Sequence, residues 1–113
     1  MIKVVALIRR HPDMDADTFR AYWKEVHAPL VRERLPGLIH YKGCFPVADA
    51  HGPVAVEAMH YDAIVELGFS NRATMEADMS SPAFMAQDRQ GSSARFMDAR
   101  NSCAMVVEEF DVL

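Results

Sequence analysis

His27 interrupts an otherwise apolar helical stripe, one turn after Trp23 and beside the backbone break that Pro29 imposes. A histidine held there is partly desolvated, which lowers its pKa and keeps it neutral near pH 7, the state in which a general base works. The plainer reading of the same spacing is a core histidine that donates to the backbone carbonyl near Glu25 freed by the proline. Asp62 and Glu66 are four positions apart in a strand-like segment, so their carboxylates share a face about 13 Å apart and cannot form a dyad with each other. Each could exchange a proton with a ligand in a barrel interior, or pair with an arginine across a dimer. Tyr22 and Tyr41 are phenols able to orient or polarise a substrate oxygen.

Other reactive side chains form no recognisable constellation. His11, His40, His51 and His60 have no Glu or Cys at ligand spacing, so no metal site is expected. Cys44 and Cys103 are far apart and are expected to be buried free thiols. Ser92-Ser93 has no nucleophile elbow and Gly91 alone makes no phosphate cradle, so dinucleotide binding finds no support. No cofactor is expected.

The elements that must position these groups follow from periodicity. Residues 2 to 9 read as a strand that is apolar on both faces. His11-Pro12-Asp13-Met14 breaks it, and Asp15 or Asp17 can cap a helix whose stripe is Phe19, Tyr22, Trp23, Val26, His27, Leu30 and Val31. Pro29 predicts a kink directly below His27. Leu35-Pro36-Gly37 ends the helix, and Leu38 to Phe45 reads as a second strand, with Ile39, Tyr41 and Phe45 on one face. A third runs from about Val56 to Phe69, with Ala63, Val65, Leu67 and Phe69 on one face. Ser70 or Asn71 caps a second helix, which Ser80-Ser81-Pro82 interrupts. A helical piece from Ala83 to Asp88 follows, Gly91-Ser92-Ser93 breaks it, and Ser102 to Phe110 is a fourth strand. The order β-α-β-β-α-β predicts one α+β ferredoxin-like domain over residues 1–113, an antiparallel four-stranded sheet with two helices on one face. The sheet's other face, expected to be apolar and aromatic-bearing, would need a second copy to cover it, which predicts a homodimeric α/β barrel.

Composition sets the outer bounds. With 113 residues, half of them hydrophobic and a quarter charged, the chain is of ordinary globular make-up. A formal charge of −4 without a basic block disfavours nucleic acid. No apolar run approaches the roughly 18 residues of a membrane span, and no secretory signal precedes the first strand, so no membrane partner is expected and the location is expected to be cytoplasmic. Eight methionines suit a plastic core or an adaptable ligand surface.

Pro12-Asp13-Met14, Phe19-Arg20-Ala21-Tyr22-Trp23, Val26-His27-Ala28-Pro29-Leu30-Val31 and Leu35-Pro36-Gly37-Leu38-Ile39-His40-Tyr41 strongly resemble the EthD family of dimeric α/β-barrel proteins. The strand Tyr61 to Phe69 looks like that family's D-x-x-x-E-x-x-F pattern. The last third departs from it, since Asp88 is separated from Phe96 and Asp98 by Gly91-Ser92-Ser93. The resemblance implies the ferredoxin-like fold and the homodimer, and it places His27 at the family's motif histidine. The founding member is associated with degradation of ethyl tert-butyl ether, and related barrels include cofactor-independent monooxygenases, cyclases, isomerases and haem-degrading enzymes. The expectation is a cofactor-independent enzyme on a small hydrophobic carbonyl-bearing or aromatic molecule. His27 would move a proton, Tyr22 or Tyr41 would orient an oxygen, and Asp62 would tune the histidine or fix a hydroxyl. Trp23, Tyr41, Glu66, Val31 and Phe19 would line the pocket. The alternatives are a non-catalytic binding dimer that supports a catabolic oxygenase, and a haem binder with His27 as axial ligand.

Overall fold

The structure, a computed structural model, describes residues 1–47 and 61–113. The expected start of the third strand, at 56–60, and His51 and His60 lie outside the described residues. Four strands, β1 (Ile2–Ile8), β2 (Leu38–Cys44), β3 (Ala63–Phe69) and β4 (Cys103–Glu108), form one sheet in the order β2-β3-β1-β4. All three pairings are antiparallel. Helices α1 (Ala16–Tyr22), α2 (Ala28–Arg34), α3 (Arg72–Met79) and α4 (Gln87–Phe96) complete the ferredoxin-like α+β domain.

Strand register sorts the side chains into two faces. Val4, Ile8, Ala63, Val65, Leu67 and Phe69 are buried toward the helices, where they meet Phe19, Val31, Leu35, Met75 and Phe96 in one core. The opposite face carries Lys3, Val5 and Leu7 of β1, with Ile64 and Glu66 beside them on β3 and Cys103 and Met105 on β4. The expectation of an aromatic-bearing second face fails here. The sheet's aromatic residues Tyr41 and Phe69 pair with Leu67 and Ile2 or Leu38 on the helix side, and polar Lys3, His40 and Glu66 occupy the other. Both cysteines are exposed rather than buried, because Cys44 lies opposite Ile64 and Cys103 opposite Leu7 on that uncovered face.

Local chemistry sets the helix starts. Asp15 caps α1 by accepting from the Thr18 backbone N–H at 2.7 Å, and Asn71 caps α3 by accepting from the Thr74 N–H at 2.8 Å. Between α1 and α2 the chain takes a π-helical turn, Trp23–His27, in which the Ala28 N–H donates to the Trp23 carbonyl. This takes the place of the expected kink. Pro29 has no N–H to give Glu25, and the wider turn sets it in the first turn of α2, where that missing donor costs nothing.

The break expected at Gly91-Ser92-Ser93 is also absent, since all three residues lie inside α4. Gly and Ser are poor helix formers, but tertiary contacts outweigh propensity at a buried position. Ser92 supplies those contacts.

Candidate functional site

The π turn brings two side chains of one helix onto one partner. Tyr22 and His27 are five positions apart, which on a regular α-helix separates them by about 140° around the axis. A turn that closes from i to i+5 returns them toward one side. Both then face α4, where the Tyr22 hydroxyl lies 3.1 Å and His27 Nδ1 2.9 Å from Ser92 Oγ. His27 and Ser92 are buried, 8% and 7% exposed. The Phe96 ring, one turn further along α4, packs at 4.5 Å between centroids against the imidazole and stacks on Tyr22 at 5.7 Å.

Burial, and secondarily the charge of Arg89, push the His27 pKa down to about 4, so the ring is neutral at physiological pH. Arg89 is fixed by its own contacts, with Nε donating to the Phe84 carbonyl at 2.6 Å and its guanidinium 3.9 Å from the Phe84 ring centre. His27 Nε2 makes no hydrogen bond to a described residue. No buried polar side-chain atom among the described residues lacks a partner, so Nε2 keeps some accessible surface. It is the ring nitrogen that the described residues leave uncommitted.

A concavity lies on the flank of the same helical segment. A groove of about 820 Å³ runs between the π turn, α2 and β2, with walls that include Trp23, Pro29, Arg32, Ile39 and Tyr41. Trp23 stands edge-on to Tyr41 at 5.6 Å and to Phe45 at 5.4 Å. Gly43 makes that packing possible, because a Cβ there would lie 2.6 Å from the indole ring. Burial raises the Tyr41 pKa, so its phenol stays protonated. His27 is not among the groove's walls.

The residues singled out in the sequence therefore fall into separate places. His27 and Tyr22 meet at Ser92, whereas Trp23 and Tyr41 meet in the groove. Phe19 and Val31 are core residues, 1% and 4% exposed. Asp62 accepts from the Arg10 backbone N–H at 2.8 Å and from Arg10 Nε at 3.3 Å, and makes no hydrogen bond to His27. Glu66 lies on the face away from the helices, where Lys3 Nζ at 2.7 Å and His40 Nε2 at 3.0 Å share its Oε1. Sequence reasoning missed Ser92, Phe96 and Arg89. Their spacing of three and four was the available signal, masked by the Gly-Ser-Ser composition between them. Among the described residues no three His, Cys, Asp or Glu side chains converge as a metal site requires, and no helix is long and apolar enough to cross a membrane.

Comparison with known proteins places this geometry. The EthD domain matches residues 11–100. An EthD family protein from Bacillus halodurans superposes with a TM-score of 0.73 at 22% identity, over 97% of this chain and 99% of that one. SnoaB, a cofactor-independent oxygenase from Streptomyces nogalater, superposes with a TM-score of 0.62 at 10% identity, over 99% and 95% of the two chains. A dimeric ferredoxin-like protein of unknown function from Thermobifida fusca gives 0.62 at 17% identity, over 94% and 88%. At these identities the likeness is one of fold. No curated protein matches the chain at a significant level.

Proposed function

This chain belongs to the EthD family, and from that premise we propose that it is a cofactor-independent enzyme acting on a small hydrophobic carbonyl-bearing or aromatic molecule. The observation that carries the reading is His27, a buried imidazole kept neutral by its surroundings, anchored through Nδ1 and uncommitted at Nε2. Such a group accepts a proton from a carbon next to a carbonyl, leaving an enolate. Oxygen insertion, dehydration, cyclisation and isomerisation all start from that step. The fold shared with a cofactor-independent oxygenase is consistent with it.

In this reading Trp23 and Tyr41 supply an aromatic wall for the hydrophobic body of the substrate, and Phe19 and Val31 back it from the core. Tyr22 supports the base through Ser92 rather than orienting the substrate alone. Asp62, committed to Arg10, anchors the segment before β3, and Glu66 serves the sheet's uncovered face. That face, with Val5, Leu7, Ile64 and Met105 unprotected, pairs with a second copy, as in the dimeric proteins that share the fold.

The test is untargeted mass spectrometry of a metabolite extract incubated with the protein, with and without oxygen, beside His27→Ala. The expected result is a compound consumed by the wild type and at least about a hundredfold more slowly by the variant, the usual loss on removing a general base. Turnover within threefold of wild type in His27→Ala would sink the assignment. A groove whose walls leave out His27 favours a second reading, a binding dimer that supports an oxygenase. A metabolite that co-purifies unchanged with both proteins would select it.

A further inference from the structure

The sequence offers Ser92 only as part of a helix break and not as a nucleophile, yet two side chains of the helical segment 16–34, Tyr22 and His27, converge on its hydroxyl. It is buried in mid-helix, where a serine hydroxyl usually donates back to a carbonyl of the preceding turn. Ser80, the exposed C-cap residue of α3, makes that kind of bond, donating to the Glu76 carbonyl at 2.6 Å. Ser92 makes no such bond, and its two contacts are Tyr22 and His27. With the Ser92 proton used among these three groups, two arrangements are self-consistent. Either Tyr22 donates to Ser92 and Ser92 to Nδ1, or His27 donates from Nδ1 to Ser92 and Ser92 donates to the Tyr22 oxygen. The first puts the ring proton on Nε2 and leaves the accessible edge without a lone pair. The second frees Nε2 as an acceptor.

We propose that Ser92, with Tyr22 as the acceptor of its proton, is the positioning residue of this site and holds His27 in the Nδ1–H tautomer, so that Nε2 presents its lone pair to the ligand. The assignment rests on His27 acting as the base, and it adds the means by which the fold selects the working nitrogen. Free imidazole in water favours the opposite tautomer, so the selection must come from the protein. A base needs Nε2 bare, and of the two arrangements only the one in which Ser92 donates to Tyr22 leaves it so. With its proton engaged by the phenol oxygen, Ser92 can only accept from the imidazole. The half-buried Tyr22 hydroxyl can then give its own proton to water. The arrangement also keeps the ring oriented once Nε2 has taken a proton, because the Nδ1–H bond to Ser92 is unchanged by that step.

Nitrogen-15 NMR of histidine-labelled protein at about pH 7.5 reads the tautomer directly and needs no substrate. The His27 signals are assigned by their loss in His27→Gln. In the wild type Nδ1 should show the shift of a protonated nitrogen and Nε2 that of a bare one. Ser92→Thr, which keeps an oxygen at the position, should preserve the pattern. Ser92→Ala should move it toward the Nε2–H form, and Tyr22→Phe should move it in the same direction by less. A bare Nδ1 in the wild type would overturn the assignment, as would a folded Ser92→Ala protein with an unchanged pattern. Should Ser92→Ala fail to fold, the wild-type tautomer and the Ser92→Thr spectrum decide the question alone. The two readings fail separately. Retained turnover in His27→Ala removes the base and leaves the tautomer standing, whereas a bare Nδ1 with an inactive His27→Ala removes only the role of Ser92.

Discussion

A neutral buried imidazole ties the site to the stability of the whole domain, and the sign of that link is fixed. Burial lowers the folded-state pKa of His27 from an ordinary 6.5 to about 4, so between those values the unfolded chain binds a proton that the folded chain does not. Stability from this residue is therefore complete above about pH 7 and is lost as pH falls through 6.5 toward 4. Between pH 7.5 and pH 5 the loss should be about 2 kcal/mol. Urea unfolding at the two pH values should show it in the wild type, and the difference should shrink by most of that amount in His27→Gln. An equal pH response in the two proteins would mean that the ring is not desolvated as the structure places it. The same low pKa predicts that the base stays unprotonated, and the proton-transfer step flat with pH, down to about pH 5.

At the scale of the elements, the π turn is the feature on which the site depends, and the sequence showed only its cause. Pro29 marked a disruption beside His27, but a kink and a π turn follow equally from a missing N–H, and only the placement of α4 distinguishes them. Pro29→Ala restores a donor for the Glu25 carbonyl and should let the segment wind as a regular α-helix, turning Tyr22 away from Ser92. The expected outcome is a protein at least as stable to heat as the wild type with impaired turnover, the opposite pairing from a core defect. Lower thermal stability together with intact activity would show that the π turn does not depend on the proline. The strands and the caps at Asp15 and Asn71 were legible because alternation and capping are local signals. Helix α4 was not, because what offsets the poor propensity of Gly91-Ser92-Ser93 is a contact between residues 65 positions apart in the chain. Gly91 itself contributes nothing to that contact, since a Cβ there would meet no atom within 4 Å. Gly91→Ala should therefore raise stability by about 0.5–1 kcal/mol, measurable as a higher urea midpoint with an unchanged slope. Half of the candidate site, His27 and Tyr22, could be read from one helical stripe. The residue joining them could not.

For the whole molecule, the proposed dimer turns on the sheet face that the helices leave uncovered. Leu7 of β1 sits between Ile64 of β3 and Cys103 of β4, Val5 between Glu66 and Met105, and Met105 is 58% exposed in the single chain. This apolar band is bordered by a polar group that satisfies itself, because Glu66 Oε1 accepts from both Lys3 and His40. Lys3 also pairs with Glu109, and hydrogen bonding to these carboxylates raises its pKa while that to Lys3 lowers the pKa of Glu66. Charges paired within one copy need no partner from the other, so the face can pack against its equivalent without stranding a bare charge. A carboxylate at position 5 would face Glu66, whose Lys3 is already shared with Glu109, and so adds a charge that pairing within one copy leaves over. Val5→Asp should sediment as a monomer at concentrations where the wild type is a dimer, with its helix content unchanged. The cysteines give an independent readout, since Cys44 and Cys103 lie on this face. A thiol reagent should modify both quickly in Val5→Asp and slowly in the wild type, with wild-type protection fading on dilution. Fast, concentration-independent modification of the wild type would mean that the sheet meets water and would overturn the proposed face-to-face dimer.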